Sequence, residues 1–164
     1  MVQKKICMIG DFAVGKTSLV ARFVRQTFSD KYLTTVGVKI DTKIVNVAEQ
    51  QVKLILWDIA GADSFTTTTA SYLRGATGYF LIVDGTRRPT WESALKLKQA
   101  VTEQIGEKPF VILLNKADLT DEWEIEDQLI TAQEQEGWKI LRTSARTGEN
   151  VEAAFTELAT KLIS

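Results

Sequence analysis

The chain has 164 residues, 45% of them apolar and 25% charged, which suits one compact domain over 1–164 with a core of its own. A formal net charge of −1 removes the electrostatic case for a nucleic-acid binder, and the basic pair Arg87-Arg88 reads as solvated surface. No run is long enough to span a bilayer, and the single cysteine, Cys7, cannot form an internal disulfide, so a buried thiol in a reducing, cytoplasmic setting is expected.

In chain order, the apolar run 6–9 predicts a strand covered on both faces. A helix over 18–25 follows, with Leu19, Val20, Phe23 and Val24 on its apolar side. Residues 36–47 and 51–57 read as two strands joined by Ala48-Glu49-Gln50, hence a hairpin. In the second, Val52, Leu54 and Leu56 alternate with Lys53, Ile55 and Trp57, which makes one face wholly aliphatic. The continuous runs 79–83 and 110–114, with 140–142, predict further strands. Helical spacing appears in Ala94, Leu97, Val101 and Ile105, in Ile125, Leu129 and Ala132, and most clearly in Val151, Ala154, Phe155, Leu158 and Leu162. Pro89 and Pro109 fall at element starts, where a missing N–H is tolerated. The pattern predicts an α/β fold: a doubly wound, mostly parallel six-stranded sheet with one antiparallel hairpin strand and helices on both faces.

Ligands of such sheets bind beyond the carboxyl ends of the strands, so the loops there carry the functional argument. Gly10-Asp11-Phe12-Ala13-Val14-Gly15-Lys16-Thr17 lies between the first strand and the first helix and matches G-x-x-x-x-G-K-[ST]. The alternative is an ordinary strand-to-helix turn with an exposed lysine; a chance match in a chain this long arises roughly once in a hundred. As a phosphate loop, the N–H groups of Ala13, Val14 and Gly15 and the helix start through Ser18 would converge on the β-phosphate. Lys16 would bridge the β- and γ-phosphates, and the Thr17 hydroxyl would ligate Mg²⁺.

Asp58-Ile59-Ala60-Gly61 ends the third strand. There Asp58 can hold Mg²⁺ through a water, and the Gly61 N–H can approach the γ-phosphate. Asn115-Lys116-Ala117-Asp118 ends the fifth. A carboxylate such as Asp118 accepts from both the N1–H and the N2 amino group of guanine, a donor pair adenine lacks. Asn115 would tether this loop to the phosphate loop, and the Lys116 stem would cover one face of the base. After the sixth strand, Thr143-Ser144-Ala145 would complete the base site through Ser144 and through an Ala145 N–H donated to the guanine O6.

On these motifs the chain resembles the Ras-like small GTPases, P-loop NTPases with a small G domain, over essentially its whole length. Trp57-Asp58 through Ser71-Tyr72-Leu73-Arg74-Gly75-Ala76, and Thr34-Thr35-Val36-Gly37-Val38, resemble the two switches of the Rab branch. The resemblance implies a GTP/GDP switch in which Thr35 ligates Mg²⁺ when the γ-phosphate is present. It also implies that Phe28 stacks across the guanine from its ribose side and that Tyr32 closes over the phosphates. Lys16, Thr35 and Gly61 would then act on the transferring phosphate. Implied partners are effectors reading the switches, an exchange factor and a GTPase-activating protein, with the chain itself a monomer.

Two residues depart from that pattern. Ala62 stands where the family's glutamine orients the attacking water, and Phe12 stands where a small residue usually faces the γ-phosphate. Slow intrinsic hydrolysis is therefore expected. Asp63 or a neighbouring threonine could substitute, and some Rab activators supply a glutamine as well as an arginine. A nucleotide-holding pseudo-GTPase scaffold, or a regulatory G domain from a larger multidomain protein, are the competing readings. No direct membrane anchor is expected: Met1-Val2-Gln3-Lys4 has no signal core or myristoylation glycine, and Lys161-Leu162-Ile163-Ser164 has no prenylatable cysteine.

Overall fold

In the computed structural model, which describes residues 1–26, 38–59 and 67–164, six strands form one sheet in the order β2-β3-β1-β4-β5-β6. These are β1 Val2–Gly10, β2 Val38–Val47, β3 Gln50–Ile59, β4 Gly78–Asp84, β5 Phe110–Asn115 and β6 Ile140–Arg142. The β2–β3 pair is antiparallel and every other pairing is parallel, so the expected doubly wound sheet with a single hairpin is present. Among the described residues the helices are α1 Lys16–Arg25, α2 Thr67–Tyr72, α3 Pro89–Ile105, α4 Asp127–Gln135 and α5 Val151–Ile163.

Two apolar layers flank the sheet because alternate residues of a strand face opposite sides. On β4, Phe80 and Ile82 join the α1–α5 side with Met8, Leu56, Phe23 and Phe155. Tyr79, Leu81 and Val83 join the other side with Cys7, Trp91, Leu97 and Val101. The Phe23 and Phe155 rings stack at 3.8 Å between centroids, and Phe80 meets Phe155 edge-on at 4.9 Å, which locks α1 and α5 onto the sheet. On β3, Val52, Leu54 and Leu56 are fully buried while Lys53, Ile55 and Trp57 are half-exposed, matching the alternation in the sequence.

Two expectations need correction. β1 begins at Val2, because its first residues pair with β3 from Val2 opposite Val52, whereas β4 joins only at Ile6. With one neighbour there, polar residues are tolerated, and Lys5 lies over the Trp57 ring, 3.6 Å from its centroid. Ile125 is buried but precedes α4, held in an extended segment whose Glu124 N–H donates to the Gly85 carbonyl at 2.8 Å. Its helical spacing with Leu129 and Ala132 was coincidence: α4 buries Ile130 and exposes Ala132.

Candidate functional site

The parallel register brings the ends of β1, β3, β4 and β5 to one edge, with Met8 opposite Asp58, Gly10 opposite Ile82 and Asp84 opposite Asn115. The loop after β1 turns directly into α1. Gly15 caps that helix at φ 103°, a left-handed conformation, and a Cβ there would collide with the Asn115 amide. Gly10 serves differently: its Cβ would lie 2.6 Å from the Ile82 carbonyl oxygen, so it permits close approach to β4 rather than a turn. Ala13 also adopts a left-handed φ of 61°. Lys16, Thr17 and Ser18 form the first turn of α1, whose amides point out of the helix end.

Lys16 is 6% exposed, and its Nζ donates to the Asp11 carbonyl at 3.1 Å and the Gly10 carbonyl at 3.4 Å. Burial pushes its ammonium down to about 8, with Asp58 and then Asp11 opposing the shift. The Thr17 hydroxyl donates to Asp58 Oδ2 at 2.6 Å, and Asp58 is 1% exposed. Two hard oxygens thus meet at the phosphate-loop end. That donor class fits Mg²⁺, which takes few protein ligands and keeps waters and substrate phosphates. Among the described residues no group of three or more His, Cys, Asp or Glu is arranged to hold a metal.

The loop after β5 is bonded into the loop after β1. Asn115 Nδ2 donates to the Val14 carbonyl at 3.0 Å, and Lys116 Nζ donates to the Ala13 carbonyl at 3.2 Å. Asn115 Oδ1 accepts from the Thr143 hydroxyl and from the Ala145 N–H, both at 3.3 Å. Ala145, expected to face a base through that N–H, therefore also supports Asn115. Ser144 Oγ donates to Asp118 Oδ1 at 2.8 Å and fixes the carboxylate. Lys116 itself has φ 68°, which lets the chain reverse between β5 and Asp118.

Of the site residues expected from the sequence, Ala13, Val14, Gly15, Lys16, Thr17, Ser18, Asp58, Asn115, Lys116, Asp118, Ser144 and Ala145 thus lie at this one edge. Phe28, Tyr32, Thr35 and Gly61, with Ala62 and Asp63, lie outside the described residues. Three residues at the edge were missed. Asp84, 1% exposed, accepts from Lys116 Nζ at 2.7 Å, Arg87 Nε at 2.9 Å and the Thr86 hydroxyl at 2.6 Å. Burial raises its pKa, but Lys116, Thr86 and Arg87 outweigh that and hold it below the usual carboxylate range. Arg87 is no mere solvated surface, since its Nη2 donates to the Phe12 carbonyl at 2.6 Å. Arg22 of α1 donates to the Ala145 carbonyl at 2.7 Å and to the Arg146 carbonyl, tying that helix to the β6–α5 loop. A polar residue closing an apolar strand was the available signal for Asp84, as it was for Asp58 and Asn115.

The Ras family profile matches residues 5–164 of the chain. The human Ras-related protein Rab-4A is 39% identical over 164 residues, covering 98% of this chain and 74% of its own. The chain belongs to the Ras family. Within this family it is similar also to Ras-related protein RABA4b of Arabidopsis thaliana, 37% identical over 161 residues (96% of this chain, 71% of the relative). Ras-related protein Rab-13 of Canis lupus familiaris is 33% identical over 161 residues, covering 97% and 79% of the two chains. This Ras-family chain is accordingly a Rab-like small GTPase in sequence, with the strand-end loops described above as its candidate site.

Proposed function

We propose that this chain binds GTP and GDP with Mg²⁺ as a molecular switch and hydrolyses GTP slowly. The observation that carries the reading is the grip of Asn115 and Lys116 on the Val14 and Ala13 carbonyls, more than a hundred residues away in sequence. Phosphate-binding and base-reading motifs are thereby parts of one construction. In this reading the amides from Ala13 to Ser18 hold the phosphates and Lys16 spans the β- and γ-phosphates. Asp118, oriented by Ser144, reads the guanine N1–H and N2 amino group, with Ala145 and Phe28 beside it. Thr17, Asp58 and Thr35 would hold Mg²⁺, which when bound supplies charge neutralisation at the β- and γ-oxygens. Tyr32, Thr35 and Gly61 would respond to the γ-phosphate, and effectors, an exchange factor and an activating protein would read the response.

The chain functions here as a single monomeric G domain over 1–164 in the cytoplasm. Among the described residues no helix is long and apolar enough to cross a membrane.

Slow turnover follows from Ala62, whose methyl group cannot orient a water. Single-turnover hydrolysis, run beside human Rab-4A, is expected to be slower for this chain and to gain about tenfold or more in Ala62→Gln. A rate equal to that of Rab-4A, or no gain in the variant, refutes the assignment. The nucleotide carried through purification separates the readings further: GDP supports an enzyme, and GTP that persists for hours favours the pseudo-GTPase scaffold.

A further inference from the structure

Across a trans peptide, the carbonyl of one residue and the N–H of the next point to opposite sides. Whatever holds a carbonyl therefore aims the following amide. Three successive carbonyls of the phosphate loop are held: Phe12 by Arg87 Nη2 at 2.6 Å, Ala13 by Lys116 Nζ at 3.2 Å and Val14 by Asn115 Nδ2 at 3.0 Å. The amides of Ala13, Val14 and Gly15 are turned away from those donors as a set. The arrangement also explains how Ala13 keeps a φ of 61°, which a residue with a Cβ enters at a cost. The carbonyls on either side of the Ala13 Cα, those of Phe12 and Ala13 itself, are the two held by cations, and both cations rest on one carboxylate oxygen. Asp84 Oδ2 accepts Arg87 Nε at 2.9 Å and Lys116 Nζ at 2.7 Å. Asp84 Oδ1 is fixed in turn by the Thr86 N–H at 2.9 Å and the Thr86 hydroxyl at 2.6 Å.

We propose that Arg87, anchored on Asp84, is a positioning residue for the phosphate loop, completing at Phe12 the carbonyl clamp that Lys116 and Asn115 make at Ala13 and Val14. The proposal rests on the guanine-nucleotide reading above. Its consequence is selective: Arg87 supports the grip on the polyphosphate beyond the first phosphate and has no part in reading the base. The guanidinium fork is essential because Nε and Nη2 serve two different acceptors at once, which a single ammonium cannot reproduce.

The test measures equilibrium affinity for GDP and for GMP by competition against a fluorescent guanine nucleotide. Arg87→Ala is expected to weaken GDP about tenfold and GMP less than twofold, the size of a lost charge-assisted hydrogen bond at one end of the ligand. Arg87→Lys keeps the charge and is expected to recover less than half of that loss. Asp84→Asn should weaken GDP at least as much as Arg87→Ala, because Asp84 anchors Lys116 as well, and adding Arg87→Ala to it should change little further, since Arg87 acts on the loop from that anchor. The side chain of Arg87 is 43% exposed, so its variants are expected to fold, and thermal melting of each checks this. Equal weakening of GDP and GMP, full recovery in Arg87→Lys, or unchanged GDP affinity in a folded Arg87→Ala overturns the clamp. Failure of the unsubstituted protein to bind either nucleotide overturns the functional reading itself and the clamp with it.

Discussion

Lys16 offers a test of the phosphate site that needs only pH. Its ammonium, 6% exposed, is held down to about 8 by burial, and Asp58 and Asp11 offset this only in part. A polyphosphate beside Nζ would restore the charged form, so binding must take up a proton wherever the free protein has lost it. With a free-protein pKa of about 8, the neutral fraction is about 0.1 at pH 7 and about 0.75 at pH 8.5. GDP affinity should therefore fall about fourfold between those two pH values, over a range where the guanine N1–H is still largely in place. Titration calorimetry at pH 8.5 in two buffers of different ionisation enthalpy should register an uptake of about 0.75 proton per GDP bound. Lys16→Ala serves as the control, with affinity lowered and the pH dependence gone. Affinity constant within twofold from pH 7 to 8.5, with no proton taken up, would refute the placement of Lys16 against the phosphates. In the nucleotide-free protein the sign is opposite. The unfolded chain then holds more protons than the fold between about 8 and 10.5, so stability contributed by this group rises with pH across that window.

Asp118→Asn should shift preference from guanine to xanthine nucleotides, because an amide donates where the carboxylate only accepts; unaltered guanine selectivity would place the base reader elsewhere. Phe155→Ala should cost about 3–5 kcal/mol in urea unfolding, since the ring is fully buried between Phe23 and Phe80, and a loss below about 1 kcal/mol would contradict that packing.

Most of the fold was legible because burial on both faces leaves a strong mark. The runs 79–83 and 110–114 are continuously hydrophobic and short, which suits a strand between two helical layers. The strand-end motifs were legible for a related reason: Gly10, Asp58 and Asn115 each interrupt an apolar run where the backbone leaves the sheet. What escaped notice involved polar side chains that reach across the edge to backbone carbonyls. Arg22 and Arg87 look like surface residues in sequence, since a long cation bonded to a main-chain oxygen leaves no pattern in either partner. Ile125 failed for the opposite reason. It has the composition and spacing of a helix face, but hydrogen bonds from Glu124 to Gly85 and from the Arg88 N–H to Glu124 hold it in an extended segment.

These carbonyl-directed contacts would also reconcile a net charge of −1 with the proposed polyphosphate site. At the edge, Lys16 lies near Asp58 and Asp11, and Lys116 and Arg87 are paired with Asp84, so these cations are offset locally. In the proposed reading the attraction for phosphate is local, coming from oriented amides at a helix start together with one buried ammonium. In the proposed clamp, the cations outside the loop spend their hydrogen bonds on carbonyls and would thereby turn the amides inward. A binder of this design would select a phosphate group by geometry at short range. A nucleic-acid binder of the same size would instead need a clustered basic face.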